Sequence, residues 1–300
     1  MGIDVTQVRM RPAAGLERRA ALMLLPEGVR QRPWNDYWLA VCEKPLRILA
    51  SAASFRSIAP DGRPQLHVDI HVAAAYRRQG IGRAMIERLR EEARGRHTLS
   101  LVTSIDSLQD DGPHRFLVSL GFTLTDRLST FEADTERLAA FVLPRCAWLK
   151  ARGEVPDSAR VVPLREADLP SVARLHVAHL SGTYEGILEG LRSRLAGPTA
   201  DDNCVLLVDG RVAGLLLGST VEGLTRIESS IVAPDLRGQW TGGGWANLMM
   251  MAERLEWAAQ RGSKRCRFSS FEGARPTRKL AAQAGAERVE VAEVHSLKLR

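Results

Sequence analysis

Apolar and polar side chains alternate along Leu66-His67-Val68-Asp69-Ile70-His71-Val72, the two-residue period of a strand. The period then changes. Met85, Ile86, Leu89 and Ala93 fall three and four residues apart, as on one face of a helix, and the apolar run Leu99–Val102 reads as the next strand. The second half repeats this order. Ile227–Val232 is a strand, Trp245, Leu248, Met249, Ala252, Leu255 and Ala259 track one helix face, and Cys266 and Phe268 alternate in a further strand. Two helical stretches stop at glycine, Arg115–Leu120 before Gly121-Phe122 and Thr277–Ala284 before Gly285-Ala286, because glycine takes the left-handed backbone that ends a helix. Upstream, the first half reads as strand Val5–Met10, helix Leu16–Leu25 and strands Trp38–Cys42 and Leu46–Ser54. The second half opens with strand Val161-Val162 and helices Leu169–Leu180 and Tyr184–Leu195. Strands Val205–Val208 and Val212–Leu217 follow, joined by the turn Asp209-Gly210.

Behind this order lies a repeat. Val72-Ala-Ala-Ala-Tyr-Arg77-Arg78-Gln79-Gly80-Ile81-Gly82 recurs as Val232-Ala-Pro-Asp-Leu-Arg237-Gly-Gln239-Trp-Thr-Gly242-Gly243-Gly244. The copies stand 160 residues apart at valine (232 against 72), arginine and glutamine, and 162 apart at the glycines, because Trp240-Thr241 adds two residues. A repeat of that length means two similar domains. The apolar-poor segment from Lys150 to Ala159, with its glycine and proline, reads as the linker, giving domains 1–149 and 160–300 around 150–159. A chain of 300 residues accommodates two cores.

Composition narrows the function. With 45% hydrophobic and 26% charged residues the chain is globular rather than disordered, and no apolar run is long enough to span a bilayer, so no membrane partner is expected. The first twenty residues carry no apolar core of a secretory signal, and Cys42, Cys146, Cys204 and Cys266 form no CxxC pair. A cytoplasmic protein with reduced thiols is the expectation. The net charge of +7 comes almost wholly from arginine, but no long run of like charge occurs. Aromatics, at 5%, are not interleaved with the basic residues as nucleic-acid stacking requires. Nucleic acid is therefore not the expected partner; a phosphate-bearing small ligand is.

A strand that ends at Val72, a loop with Gly80 and Gly82, and an immediate helix form a device for holding phosphate. Glycine lets backbone approach the ligand, amide N–H groups converge, and the helix N-terminus adds partial positive charge. Arg77, Arg78 and Arg83 add full charges around Gln79, Gly80, Ile81 and Gly82. Here the sequence resembles the GCN5-related N-acetyltransferase (GNAT) family, whose acyl-CoA loop, Arg/Gln-x-x-Gly-x-Gly/Ala, opens a helix after the fourth strand. Arg77-Arg-Gln-Gly80-Ile-Gly82 matches that loop in full. The helix that stops at Gly121-Phe122 resembles the family's second motif. In the second copy, Arg237-x-x-Trp240 breaks the register, and Gln239-x-x-Gly242-x-Gly244 restores it. That loop reads equally as a second cradle or as a relic with a structural role.

The resemblance implies an α/β (α+β) chain of two tandem acyltransferase-like domains, each a mixed, mostly antiparallel sheet flanked by helices. It implies direct transfer from acetyl-CoA to a primary amine of a small molecule. The alternative is a catalytically silent acyl-CoA sensor or scaffold, and a homodimer is possible in either case. The chemistry needs a base for the ammonium proton, a backbone donor near Val72 or Val232 for the thioester oxygen, and a proton for the departing thiolate. Glu228, four residues before Val232, matches the place of a frequent family base, and Asp69 and His71 flank the first copy. Each also reads as an ordinary polar strand residue, and Glu228 as a partner for Arg226 or Arg237. The family's tyrosine acid is missing: Leu117 and Ala281 stand four residues before the glycines, leaving water or a side chain such as His114.

Other features remain two-sided. The acidic segment Asp106–Pro113 either attracts a cationic amine or caps a helix, and Trp34–Trp38 either lines a cleft or packs. His176 and His179 lie one turn apart without a third ligand.

Overall fold

The computed structural model describes residues 7–25, 36–43, 45–58, 64–94, 100–106, 111–179, 184–233, 236 and 244–299. The chain forms two compact units, one of residues Met1–Thr125 with Glu293–Arg300, the other of Asp126–Ala292.

In the first unit, β1 (Val8–Pro12), β2 (Asp36–Glu43), β3 (Leu46–Ile58) and β4 (Pro64–Val72) pair antiparallel in sequence order. Helix α1 (Glu17–Leu24) leads into β2, and α2 (Ile81–Arg94) carries the chain from β4 to the parallel strand β5 (Ser100–Asp106). Helix α3 (Asp111–Ser119) and the start of β6 (Thr123–Asp134) follow. The Glu293–Lys298 stretch of β12 (Glu287–Lys298) also belongs to this unit, where Thr123 and Thr125 donate side-chain hydrogen bonds to the carbonyls of Ser296 and Val294. The helical spacing read in the sequence is the packing spacing. Ile81, Met85, Ile86, Leu89 and Ala93 are all buried against Leu49, Ala50, Ala52, Leu66 and Val68. Each large side chain among them contributes about 1.5–3 kcal/mol of burial. On the opposite face Ala21 and Leu25 cover Tyr37, Leu39, Val41 and Ala53.

In the second unit, Asp134 caps α4 (Thr135–Ala151) by accepting from the Arg137 N–H at 2.9 Å. Then come β7 (Arg160–Pro163), α5 (Leu169–His179), α6 (Tyr184–Ala196), β8 (Cys204–Val208), β9 (Arg211–Val221) and β10 (Leu224–Val232). The last elements are α7 (Gly244–Gln260), β11 (Arg265–Phe271), α8 (Arg275–Gln283) and the start of β12. The sheet order is β6-β11-β10-β9-β8-β7, with β10 and β11 parallel and the other pairs antiparallel. Helices α4 and α7 share one core, with Leu138, Val142 and Cys146 beside Trp245, Met249 and Met250. Both units are thus mixed, mostly antiparallel sheets with flanking helices, as the resemblance implies.

Several details differ from the sequence reading. Lys150 and Ala151 are still helical, so the stretch expected as a linker begins inside α4. That helix packs with the second unit, and the compact units divide at Thr125/Asp126 and again at Ala292/Glu293 rather than once at 150–159. Helix α3 opens at Asp111 instead of Arg115, because Asp111-Gly112-Pro113 supplies a proline-tolerant first turn. The beginning of the strand expected at Val5 and the residues Leu99 and Leu180 lie outside the described residues.

Candidate active site

Each unit contains a parallel strand pair, and among the described residues each pair parts midway. In the first unit β4 and β5 pair at Leu66↔Leu101 and His67↔Val102, and among the described residues the ladder ends there. In the second unit β10 and β11 pair from Leu224↔Arg265 to Ile227↔Phe268 and no further. The ends of β4 (Val68–Val72) and β10 (Glu228–Val232) thus leave their parallel partner while still paired antiparallel on the other side. A backbone edge released in this way can add an extended, amide-bearing ligand as a further strand.

In the first unit that strand runs straight into the glycine loop. After Val72, one turn at Ala74–Tyr76 reverses the chain, and Arg77 is extended. Arg78 and Gly80 have φ of 62° and 82°, in the left-handed region. A positive φ at a non-glycine residue such as Arg78 stores strain, and backbone that alternates in hand is the kind that turns successive N–H groups to one side. Helix α2 begins at Ile81, whose side chain is buried, so the N–H groups of its first turn face the loop with no helical carbonyl behind them. Arg77 Nε donates to the Val72 carbonyl at 3.0 Å, which folds the guanidinium over the strand end, and Gln79 Nε2 donates to the Ala75 carbonyl at 3.2 Å. Gly82 is needed for space: a Cβ there would lie 3.3 Å from Phe116 Cζ and 3.5 Å from Val72 Cγ2. Val72, Arg77, Arg78, Gln79, Gly80, Ile81, Gly82 and Arg83 thus all lie on one strand end, loop and helix N-terminus.

The second unit's loop is described only at its two ends. Val232 is buried at the close of β10, and Gly244 opens α7. Arg237, Gln239, Gly242 and Gly243 lie outside the described residues.

Of the base candidates, Asp69 and His71 lie on the β4 face opposite the α2 core, half-buried, across from Ala53 and Ser51. Glu228 occupies the place where the β10–β9 register slips between Ile227 and Ser229. A bulge of this kind re-aims a side chain. Here it delivers the carboxylate to Arg194 on α6, with which it forms an ion pair. Among the described residues that partner is Arg194 rather than Arg226, and Arg237 lies outside them. Leu117, at the place of the family's tyrosine, is buried in the core.

His114 is in contact with Glu293 and His295, and burial pushes the His295 imidazole below its usual pKa. Burial also pushes the Cys204 and Cys266 thiols up to about 12, so both are protonated at neutral pH and neither is a nucleophile. Trp38 is buried and donates to Ser54 Oγ at 3.3 Å, a packing role; Trp34 is outside the described residues. His176 is buried in α5. A cavity of about 170 Å³ between Arg18, Asp36, Tyr37, Trp38 and Glu92 reaches Leu66 and Ala93, at the far end of β4 and α2 from the loop. Six strand residues at ~3.3 Å separate that end from Val72 and the glycine loop.

Some residues escaped the sequence reading. Phe116 fixes the space at Gly82. Ser51, opposite His71, and Ser229, beside Glu228, have buried hydroxyls with no protein partner, and Ser230 Oγ donates to Asn247 Oδ1 of α7 at 2.7 Å. Strand alternation marks these serines as half-buried but says nothing of their hydroxyls.

Residues 33–124 match the acetyltransferase (GNAT) domain family. Among curated proteins no relative matches the sequence. Solved structures do resemble it. A tandem GNAT protein from the clavulanic acid biosynthesis pathway is 20% identical, with a TM-score of 0.57 over 98% of this chain and 99% of that one. A putative acetyltransferase from Pyrococcus horikoshii is 15% identical, with a TM-score of 0.58 over 100% and 92%. A probable N-acyltransferase from Enterococcus faecalis is 9% identical, with a TM-score of 0.62 over 97% and 72%. Residues 33–124 are thus a GNAT domain, and the chain as a whole has the fold of tandem GNAT proteins.

Proposed function

We propose that the first unit binds acetyl-CoA and moves its acetyl group directly to a primary amine of a small molecule. The observation that carries this reading is the continuity of β4. The strand parts from β5 after His67 and runs into a loop whose left-handed residues Arg78 and Gly80 aim amides at one point before a helix N-terminus.

Acetyl-CoA supplies an activated acyl carbon; the protein supplies position and a place for the proton. The nest at Arg77–Arg83 holds the diphosphate, with the dipole of α2 and the arginine charges opposing its negative charge. The released edge of β4 takes the pantetheine amides, which lays the thioester near Val72. An amine nitrogen then attacks the acyl carbon, the carbon–sulfur bond breaks, and the proton lost by the ammonium passes to His71 or Asp69, directly or through one water. Both side chains lie on the same face of the strand that ends at Val72. The thiolate takes its proton from water, since Leu117 has none to give. Glu228, with Arg194, holds the corresponding strand position in the second unit.

A calorimetric titration of acetyl-CoA into the full chain, beside the Gly82→Leu variant, tests binding. Thiol release across a panel of small amines tests transfer. The reading requires one site lost in Gly82→Leu and thiol release with at least one amine. Binding that survives Gly82→Leu unchanged removes the assigned cradle. Binding without thiol release from any amine leaves the silent acyl-CoA-binding protein, which the buried Leu117 favours.

A further inference from the structure

We propose that His114, Glu293 and His295 form a binding site for one divalent transition-metal ion of the zinc type. His114 stands in the first turn of α3, and the other two alternate on the same face of β12. All three belong to the first unit. Their ligand atoms make a closed triangle. His114 Nδ1 lies 3.0 Å from Glu293 Oε2 and 3.2 Å from His295 Nε2, and Oε2 lies 3.7 Å from Nε2. A tetrahedral ion with ligands ~2.0–2.1 Å away has ligand–ligand edges of about 3.3 Å. The triangle is already the size of one face of that tetrahedron.

Hydrogen bonding alone does not satisfy these atoms. One imidazole nitrogen cannot both donate to a carboxylate and accept from a second imidazole. With the proton on His114 Nδ1, His295 Nε2 faces it only as a second acceptor. The His295 proton then sits on Nδ1, a buried atom that makes no well-formed hydrogen bond, with the Glu293 backbone as its neighbour. With the proton on His295 Nε2 instead, His114 Nδ1 turns a lone pair on the carboxylate 3.0 Å away. A cation between the three accepts every lone pair at once. Two neutral imidazoles and one carboxylate leave the complex with one positive charge, a donor set suited to zinc and its neighbours rather than to calcium or magnesium. The His295 side chain is fully buried and that of Glu293 is 14% exposed, whereas that of His114 is 40% exposed. The fourth position therefore opens towards solvent on the His114 side, where water completes the shell.

The ion would join Pro113-His114 to the stretch beyond Ala292, so its first effect is to fasten β12 to α3. The site does not depend on the acyltransfer reading, and its test needs no substrate. Dialyse the full chain against a chelator, titrate with Co²⁺ while recording visible absorption, and repeat with Zn²⁺ by thermal melting. One equivalent of Co²⁺ should give the intense bands of a tetrahedral site, Zn²⁺ should bleach them, and Zn²⁺ should raise the melting temperature. His114→Phe and Glu293→Gln, each at a side chain that reaches solvent, should bind about 10-fold or more weakly and lose the thermal shift, with circular dichroism reporting that they fold. Absence of both the bands and the shift in the unmodified chain overturns the proposal. So does binding that persists unweakened in either folded variant.

Discussion

In the first unit β4 keeps an unbroken register with β3 from Pro64 to Val72; in the second, β10 slips one residue against β9 at Glu228. Both strands nonetheless release their parallel partner at comparable points, His67 and Ile227. Two copies of one design have thus kept the wedge and changed what stands in it. The regular strand presents Asp69 and His71 from one face; the bulged strand presents a carboxylate already engaged by Arg194. The interiors diverge as well. The second unit buries Asp202, which accepts from both Arg254 and Arg261 at 3.0 Å, with the Arg254 side chain 2% exposed and that of Asp202 fully buried. In the first unit the pairs Arg9–Glu43, Arg11–Glu17, Arg88–Glu91 and Arg90–Glu87 all reach solvent, while the His295 side chain is fully buried. The backbone wedge is common to both units, and the side chains around it are not.

The sharpest way to break this comparison is kinetic. His71→Asn should lower turnover by about 10²–10⁴, the usual effect of losing a general base, while Glu228→Gln stays near the unmodified rate. Steady-state thiol release measures both, and the reverse ranking moves the chemistry to the second unit. Next in size, Asp202→Ala strands a buried guanidinium and should cost about 3–5 kcal/mol in denaturant unfolding. A loss below ~1 kcal/mol would mean that the buried charges do not pin the second unit.

A smaller effect depends on pH. Arg267 and Arg265 hold the Glu132 carboxyl below its ordinary value of 4.5. A lowered pKa in the folded state adds stability above the unfolded value and loses it as pH falls through the folded one. Glu132→Gln should therefore cost about 1 kcal/mol at neutral pH, and the gap to the unmodified chain should close in acid. A gap that widens in acid would reverse the sign of the assigned interaction. Least of all, Glu43→Gln should shift stability by no more than ~0.5 kcal/mol, because its pair with Arg9 is 68% and 56% exposed. Thermal melting separates these last two.

What the sequence makes legible is local. Strand β4, helix α2 and the loop between them follow from alternation, helical spacing and two glycines, and β10, α7 and β11 follow from the same signals. Among the described strands and α-helices, β6, α4 and β12 are not legible in this way. Leu138, Val142, Cys146 and Leu149 do keep helical spacing in α4, but Pro144 sits among them and argues against a helix. In β12 the alternating positions Val291, Glu293, His295 and Leu297 include two ionisable residues, which hides an inward-facing row. The pairing of Glu228 with Arg194 and the meeting of His114 with Glu293 and His295 are products of the fold, since no periodicity links residues so far apart along the chain.

The return of Glu293–Lys298 to the first unit has a consequence for synthesis. Leu297 fills part of that unit's core, so translation must pass through all of Asp126–Ala292 before the first domain receives its last strand. The N-terminal half therefore emerges from the ribosome with an open flank, and the order in which the two bodies mature is opposite to the order in which they are made.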